Sequence, residues 1–450
     1  MNSSQKNVLP TEVDVLIETE TINVPMPSPQ VSFIESIGWK RCVLIGLVAV
    51  FFIALGYDTI YRVAWNDIKR TDYIVYSTAG QAVLDGTNIY EAHDSNGWFY
   101  VYPPPFAIVS IPFAKLSLAW GSALWYAVSL SGLALALVMS VRLARTASPP
   151  AGGKNDNWTL YESPLFLASP WIVSGLLRCQ ASEFMIPLVI AAVYFWWRGR
   201  PFLGGMSLAA ASLLKAFPIA LLAYFVWRRQ WNFVGAFTLG MAIGGLILPA
   251  TVFGWQKNLD YWQQWGGLVA GPALSANDAH QDNMLQGQLL DAKKPRNQSL
   301  ESLLLSVNTP PKQAKLVLAI LAVGMLAAMV WLARGADSRT QLVLVSAFVS
   351  WNLLIPPISE SHYFGLMILP LAVLTSIFLG ETDSVSRRLS LTALALFFCT
   401  TLWSNLDKDM HYYRLLCWAT LGVWSCLLVV AYRRGKAKAV AYPAECIAKS

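Results

Sequence analysis

Residues 198–229 read RGRPFLGGMSLAAASLLKAFPIALLAYFVWRR, a long apolar run with a basic pair at each end. Arg and Lys in short loops favour the cytoplasmic side of a membrane, so both ends of this run are expected on the same side. A single crossing helix cannot place them there. The run is therefore predicted to form two short helices that turn near Lys215, with Pro218 supplying the break. Broken backbone at membrane depth is tolerated only where it lines a cavity in the protein.

The rest of the chain is built from similar apolar runs. Only 13% of its 450 residues are charged and 55% are apolar, whereas soluble proteins carry about 25% charged residues. This composition argues against a soluble enzyme. The other runs cover residues 42–60, 120–142, 162–177, 182–197, 232–253, 313–333, 339–356, 361–380, 389–405 and 411–432.

Placing every basic cluster inside the cell predicts an all-α membrane protein of twelve helices with both termini cytoplasmic. This count requires residues 103–118, a shorter run interrupted by prolines, to be re-entrant or interfacial. If that segment spans the membrane, the count is thirteen and one basic cluster moves outside.

The predicted organisation is one membrane domain with two long outer loops. Residues 1–38 are acidic, contain four prolines and are expected to be a disordered cytoplasmic tail. Residues 39–435 form the membrane domain, with outer loops at 62–119 and 254–312, and residues 436–450 form a second cytoplasmic tail. The net charge of +7 then reflects cytoplasmic Lys and Arg rather than nucleic-acid binding. The six cysteines include no CxxC pair and are interpreted as small buried apolar residues.

Motifs typical of soluble enzymes are missing from the sequence. There is no P-loop, no HExxH and no GxSxG, and no GxGxxG follows a strand. Transport driven by ATP bound to this chain alone is therefore not expected.

The first outer loop is rich in acids and aromatic residues. It reads NDIKRTDYIVY over residues 66–76, LDGTNIY over 84–90 and YVYPPPFA over 100–107. For any single Asp, a packed loop with solvated acids is a sufficient explanation. The arrangement, however, resembles glycosyltransferase family 87, the polyprenol-phosphate-mannose-type enzymes of the GT-C superfamily. The matching patterns are Asp-x-x-Val-Tyr-x-x-Ala-Gly from Asp72, Leu-x-Gly-x-x-x-Tyr from Leu84, and Tyr-Pro-Pro-x-Phe-Ala from Tyr102.

The resemblance continues downstream in the family's order. Cys179-Gln180-Ala181-Ser182 is similar to a Gly-Gln-x-Asn turn, with Cys and Ser at the first and last positions. Residues Ala209–Pro218, ending Leu-Leu-Lys-Ala-Phe-Pro, resemble Ala-x-x-Lys-x-x-Pro, and the remaining matches are Asn-Gln-Ser-Leu at Asn297–Leu300 and Ser-x-x-His-Tyr at Ser359–Tyr363.

The resemblance implies a GT-C-like fold and an inverting hexosyltransferase, with mannose as the expected sugar. A polyprenyl-phosphate sugar is already activated, so no further cofactor is expected. One carboxylate suffices to take the proton of the acceptor hydroxyl. Asp72 is the expected base and Asp67 the alternative; the two could also hold a divalent ion, although no metal is demanded.

Cations are expected to stabilise the departing phosphate. Lys215 is the main candidate, against the alternative of a lysine snorkelling to the interface, and Arg178 and Arg296 are weaker ones. His362 would bond phosphate or a sugar hydroxyl, unless it is an interfacial histidine bonded to backbone. The other expected substrate-binding residues, among them tyrosines that an interfacial aromatic belt would also explain, are Tyr76, Tyr90, Tyr102, Gln180, Asn297, Gln298 and Tyr363.

The expected partners are a polyprenyl-phosphate-sugar donor, a lipid-linked or envelope glycan acceptor and membrane lipids, without nucleic acid. The enzyme is expected in the cell membrane with its site on the extracytoplasmic face. A transporter or flippase of lipid-linked sugars is the first alternative, but it predicts an inverted repeat, which the sequence lacks. A polysaccharide polymerase or ligase is the second, with essential residues in a late outer loop.

Overall fold

The computed structural model describes residues 39–66, 71–149, 158–274 and 294–447. The predicted N-terminal tail, Asp67, much of the second outer loop and the last residues of the C-terminal tail lie outside this described part. The chain divides into two compact units, residues 1–52 and 53–450. In the first unit, the described residues 39–52 are helical; the candidate site lies wholly in the second.

The described residues are helical throughout, apart from turns and two isolated bridges that pair His93 with Phe99 and Asn297 with Glu360. The α-helices are Trp39–Ala64, Tyr73–Asp85, Pro104–Val109, Ile111–Ala114, Leu118–Ala147, Thr159–Leu177, Ser182–Trp197, Pro201–Leu214, Leu222–Trp227, Trp231–Ala242, Leu248–Phe253, Trp255–Trp265, Gly271–Leu274, Leu300–Ser306, Pro311–Leu332, Ser338–Leu354, Ile368–Gly380, Ser384–Leu406 and Leu415–Ile447. Short 3-10 helices cover Ile89–Glu91, Phe217–Leu221, Ser361–Met367 and Lys408–Tyr413, and π-helical turns cover Ile243–Ile247 and Gly266–Ala270.

The prediction of an all-α protein with membrane-spanning helices is confirmed at this level. Every apolar run identified in the sequence coincides with helix. Within the described residues, seven helical segments are long and apolar enough to cross a membrane: Trp39–Ala64, Leu118–Ala147, Trp231–Phe253, Pro311–Leu332, Ser361–Gly380, Ser384–Leu406 and Leu415–Ala437. The crossing count of twelve or thirteen stays a prediction.

The predicted break at Lys215 is confirmed. The helix Pro201–Leu214 ends there, and Lys215 has extended backbone angles of φ −144° and ψ 128°. A tight 3-10 turn begins at Phe217, and Pro218 has no N–H to continue an α-helical ladder. The lysine side chain nevertheless remains 7% exposed, so the break delivers it into the interior.

The proline-rich segment before residue 118 forms two short helices, Pro104–Val109 and Ile111–Ala114. At about 1.5 Å per residue neither approaches the thickness of a bilayer core. The helix Tyr73–Asp85 packs directly on them, and a Cβ at Gly80 would lie 2.8 Å from the backbone of Ser110. This close approach explains a glycine at that position of the first motif.

The first outer segment is a packed aromatic cluster rather than a solvated loop. Tyr73, Tyr76, Phe106 and Trp125 are almost completely buried and contact one another edge-on or stacked. Their rings hold the start of the helix Tyr73–Asp85 in a fixed position, and Asp72 directly precedes it.

The opposite end of the helices is held by ion pairs between segments predicted to be cytoplasmic. Arg433 pairs with Asp383 at 2.5 Å, and Arg434 pairs with Glu381 while donating to the carbonyl of Ala147. These contacts gather three predicted inner loops at one end of the bundle. His362 lies in the first turn of the helical segment Ser361–Gly380 and Glu381 directly follows its end, so the two residues lie at opposite ends of that segment.

Candidate active site

Asp72 stands at the N-terminus of the helix Tyr73–Asp85, yet its side chain makes no capping hydrogen bond. Its backbone N–H donates to the carbonyl of Arg178 at 3.0 Å. Its carboxylate instead turns inward, where Oδ2 accepts a hydrogen bond from Gln180 Nε2 at 2.5 Å and a longer one from the Tyr76 hydroxyl at 3.4 Å. The first outer segment and the turn at residues 178–181 are thus joined through this carboxylate.

The surroundings of Asp72 raise its pKa to about 6. Burial is the largest cause, because it disfavours the charged form, and the nearby charge of Glu360 acts in the same direction. Lys215, the Gln180 hydrogen bond and Arg178 oppose the shift. A carboxyl with its pKa near the working pH is suited to accept a proton during a reaction.

The turn that supplies Gln180 has an unusual backbone. Cys179 has a φ of +52°, in the left-handed region where glycine is favoured. This explains why the family pattern carries glycine at this position and shows that the cysteine adopts the same conformation. Burial raises the pKa of the Cys179 thiol, so it is a neutral packing group.

Three of the four predicted substrate-binding tyrosines form a hydrogen-bonded series behind Asp72. Tyr76 OH lies 2.8 Å from Tyr102 OH, and Tyr90 OH donates to the Tyr102 carbonyl at 3.2 Å. The Tyr76 ring is fully buried against Trp125, Phe106 and Tyr102, so it offers the site its hydroxyl rather than a free face. Tyr90 is linked to Asp72 only indirectly, because its hydroxyl bonds the backbone carbonyl of Tyr102.

Lys215 is the buried cation on the other side of Tyr102. Its Nζ lies 3.5 Å from His362 Nε2, 4.1 Å from the centre of the Tyr363 ring and 5.5 Å from that of Tyr102. Phe217 stacks on the far side of Tyr363 and fixes that ring. Among the described residues, no carboxylate forms an ion pair with Lys215. Glu360, Asp72 and Glu183 act on its charge from beyond ion-pair distance, which leaves the role of direct anionic partner to a ligand.

Asn297 and Gln298 are buried and engaged with backbone. Asn297 Nδ2 donates to the Pro357 carbonyl at 2.7 Å, while its Oδ1 accepts from the N–H groups of Ser299 and Ser359. Gln298 Nε2 donates to the carbonyls of Pro295 and His411. The Asn297 amide thus holds the turn before His362, and the Gln298 amide holds the backbone at Pro295 and His411. Contact of either amide with sugar or phosphate stays a prediction.

Glu360 is the residue that the sequence analysis did not select. Its Oε2 lies 3.5 Å from His362 Nδ1, and its charge acts on both Asp72 and Lys215. The available signal was its place two residues before His362 in the Ser359–Tyr363 motif, although an acid in a surface turn is usually solvated. Glu183, buried with no hydrogen-bond partner on either oxygen, is a second such acid near Lys215.

The two predicted arginines lie at the edge of the site. Arg178 contributes its backbone carbonyl to Asp72, and its charge acts on Asp72 and His362. Arg296 is exposed, and its charge acts on His362 and His411. Asp67 lies outside the described residues, so its distance from Asp72 is not described and its pairing with Asp72 stays a prediction. Within the described part of the chain, no group of three or more His, Cys, Asp or Glu side chains could hold a metal ion.

The site thus combines a carboxyl suited to take a proton with a buried ammonium that, among the described residues, no carboxylate contacts within ion-pair distance. The first is suited to a hydroxyl nucleophile and the second to an anionic leaving group. Tyr102 links the two: its hydroxyl lies against that of Tyr76, which contacts Asp72, and its ring lies beside Lys215.

Two known proteins illustrate what this chain is similar to. A curated relative, the polyprenol-phosphate-mannose-dependent alpha-(1-2)-phosphatidylinositol mannoside mannosyltransferase of Mycolicibacterium smegmatis, is 27% identical over 410 residues, which cover 82% of each chain. Among solved structures, ArnT from Cupriavidus metallidurans, in its crystal structure bound to undecaprenyl phosphate, is similar with a TM-score of 0.39. That likeness has 14% identity and covers 86% of this chain and 76% of ArnT.

The decisive comparison is with the family itself. Residues 100–357, more than half of the chain, match the sequence model of glycosyltransferase family 87. This range includes Tyr102, Gln180, Lys215 and Asn297, whose motifs first indicated the resemblance. The chain belongs to glycosyltransferase family 87, and it is a glycosyltransferase.

Proposed function

We propose that this enzyme transfers a hexose, most simply mannose, from a polyprenyl-phosphate donor to a lipid-linked or envelope glycan acceptor, with inversion at the anomeric carbon. The observation that carries the proposal is a chain of contacts that runs from the Asp72 carboxylate through the Tyr76 and Tyr102 hydroxyls to the Tyr102 ring, beside which the buried Lys215 ammonium lies. The named donor of the mycobacterial relative supports the choice of donor and sugar.

In the proposed reaction, Asp72 removes the proton from the acceptor hydroxyl as its oxygen attacks the anomeric carbon. The bond between that carbon and the phosphate oxygen breaks, and its electron pair leaves with the polyprenyl phosphate. Lys215 stabilises the negative charge that develops on this phosphate. Gln180 and Tyr76 keep the Asp72 carboxylate oriented before the proton is transferred.

The buried position of Lys215 supports this role over interfacial snorkelling. A snorkelling lysine extends its ammonium into water, whereas this one is buried between two aromatic rings and His362. A buried cation is costly unless an anion compensates it. A phosphate whose lipid tail remains in the bilayer would supply that charge.

The direct test is transfer of label. Purified enzyme in detergent or liposomes is incubated with polyprenyl-phosphate-[14C]mannose and a membrane lipid extract, and the products are separated by thin-layer chromatography. The proposal expects label in a new lipid or glycan, with release of unlabelled polyprenyl phosphate. Movement of intact donor between liposome leaflets without transfer would instead support a flippase and overturn the proposal.

We also propose twelve crossings, with the site on the extracytoplasmic face of the cell membrane. In a cysteine-free background, Ser95→Cys and Lys312→Cys should react with a membrane-impermeant maleimide in intact cells, while Arg200→Cys should react only after permeabilisation. All three positions are exposed. Labelling of Ser95→Cys and Lys312→Cys from opposite sides would contradict this topology.

A further inference from the structure

Among the described residues, Glu360 is a partly exposed carboxylate beside His362 that the proposed reaction does not use. Its side chain is 40% exposed, whereas that of its neighbour His362 is 1% exposed. Lys215 is also buried. Glu360 therefore marks the boundary between the buried catalytic groups and the space from which a substrate enters.

The backbone on either side of Glu360 is held firmly. Glu360 forms an isolated bridge with Asn297, and the N–H of Gln298 donates to the Ser359 carbonyl at 2.8 Å. The Asn297 side chain closes the same turn through Pro357 and Ser359. These buried hydrogen bonds fix where the Glu360 side chain begins, which is what a group that recognises a substrate requires.

Glu360, His362 and Lys215 form a row. One imidazole separates the carboxylate from the ammonium, with a contact of 3.5 Å on each side. Because a charged lysine has only donors, Nε2 of His362 accepts from Lys215 and Nδ1 carries the proton that faces Glu360. Glu360 therefore lies one imidazole ring away from Lys215, where the phosphate of the donor is proposed to bind.

An acid in this position opposes donor binding unless something compensates it. Of the nearby acids, Glu360 exerts the largest charge effect on Lys215, so it weakens the attraction of that lysine for phosphate. Sugar hydroxyls are hydrogen-bond donors, and bonds from them to a carboxylate are charge-assisted and strong. A sugar that places a hydroxyl against Glu360 would therefore bind well, whereas a sugar without a hydroxyl in that position would bind poorly.

We propose that Glu360 accepts a hydrogen bond from a hydroxyl of the donor hexose and so determines which sugar is transferred. This inference rests on the proposed function, since it assumes a hexosyl-phosphate donor with its phosphate at Lys215. Glu360 is then a specificity residue that contacts the sugar, while Lys215 binds the phosphate of the same donor. Asp72 acts separately, on the acceptor.

The test compares polyprenyl-phosphate-mannose with the corresponding 2-, 3-, 4- and 6-deoxy donors, using wild-type enzyme, Glu360→Gln and Glu360→Ala. Wild type should use one deoxy donor with a kcat/KM roughly 10- to 100-fold lower than that of the parent, as for the loss of a hydrogen bond to a charged group. Glu360→Ala should lose activity toward the parent donor by a similar factor and treat both donors alike. Glu360→Gln should fall between them.

Glu91→Gln provides the matched control. Glu91 is an exposed acid of the first outer segment, and its carboxylate accepts a hydrogen bond from the Asn88 side chain. Its deoxy-donor profile should equal that of wild type.

Three results would overturn the assignment of Glu360. First, wild type could use all four deoxy donors as efficiently as the parent donor. This result does not depend on the folding of any variant. The penalty could persist in Glu360→Ala, or it could follow deoxygenation of the acceptor instead of the donor. Failure of wild type to transfer mannose at all would contradict the proposed function itself, and the two failures are therefore distinguishable.

Discussion

The two halves of the site are built in different ways. The half around Asp72 is held by short hydrogen bonds from Gln180 and between Tyr76 and Tyr102. The half around Lys215 is held by a 3.5 Å contact with His362 and by aromatic rings. The contrast indicates that the proton acceptor is organised before substrate arrives, whereas the cation is left for its ligand to complete.

Removing the carboxylate of the first half should have the largest effect. Asp72→Asn keeps the shape of the side chain but cannot accept the proton, so transfer should fall by roughly 100- to 10,000-fold. Thermal unfolding in detergent should change little, because the burial that raises the pKa of Asp72 favours a neutral group there.

Asp85→Asn is the matched control for this prediction. Asp85 ends the same helix, is exposed and accepts a hydrogen bond from Gln81. Its substitution should leave transfer intact. If Asp72→Asn remained fully active, Asp67 would replace it as the expected base.

Lys215→Met tests whether the charge of Lys215 serves to bind an anionic ligand. Turnover should fall by about 100- to 1,000-fold, as for the loss of one group that stabilises the transition state electrostatically. The unliganded variant should be at least as stable as wild type, because an uncompensated buried charge has been replaced by an apolar chain. Polyprenyl phosphate should raise the melting temperature of wild type only.

Lys312→Met is the control, since Lys312 is an exposed lysine on the predicted outer side. A Lys215→Met protein that was less stable than wild type, yet still gained stability from polyprenyl phosphate, would show that the lysine supports the fold and does not bind the leaving group.

These differences mark what the sequence can predict about such a protein. Apolar runs and flanking arginines were sufficient for the helices and for the break at Lys215, because both follow from local composition. The motifs were sufficient to select Asp72, Lys215 and His362. The direction in which a polar side chain turns depends on partners far away in the chain, and no local pattern records it.

Asn297 and Glu360 illustrate this limit. The sequence selected Asn297 as a substrate-binding residue, and only the fold shows that its amide also closes a turn 60 residues further along the chain. The same turn carries Glu360, which the sequence analysis passed over because an acid in an outer turn is usually solvated. Only the fold shows that it faces His362.

The acid side of the pH dependence of kcat/KM should reflect the titration of Asp72. Asp72 must be deprotonated to act as base, so activity should rise about tenfold per pH unit on the acid side and level off above a midpoint near 6. The charged groups that set this midpoint are Glu360, Lys215 and Arg178. Glu360→Gln should move the midpoint to lower pH, because it removes a negative charge that raises the pKa of Asp72. An unchanged midpoint in this variant would show that the charge of Glu360 does not act on Asp72.

The smallest effect is expected at Cys179, where the backbone of the first half is strained. A residue with a Cβ in the left-handed region costs about 1–2 kcal/mol relative to glycine. Cys179→Gly and Cys179→Ala both lose the buried thiol, but only glycine relieves the strain. Cys179→Gly should therefore be more stable than Cys179→Ala by about 1 kcal/mol, the reverse of the order found inside a helix. Chemical unfolding of the two variants in the same detergent measures this difference. Ala211, in the helix Pro201–Leu214, provides the matched site for the ordinary order, with Ala211→Gly expected to be destabilising. If Cys179→Ala equalled or exceeded Cys179→Gly, the turn would not hold the left-handed conformation, and the placement of Gln180 against Asp72 would have to be revised with it.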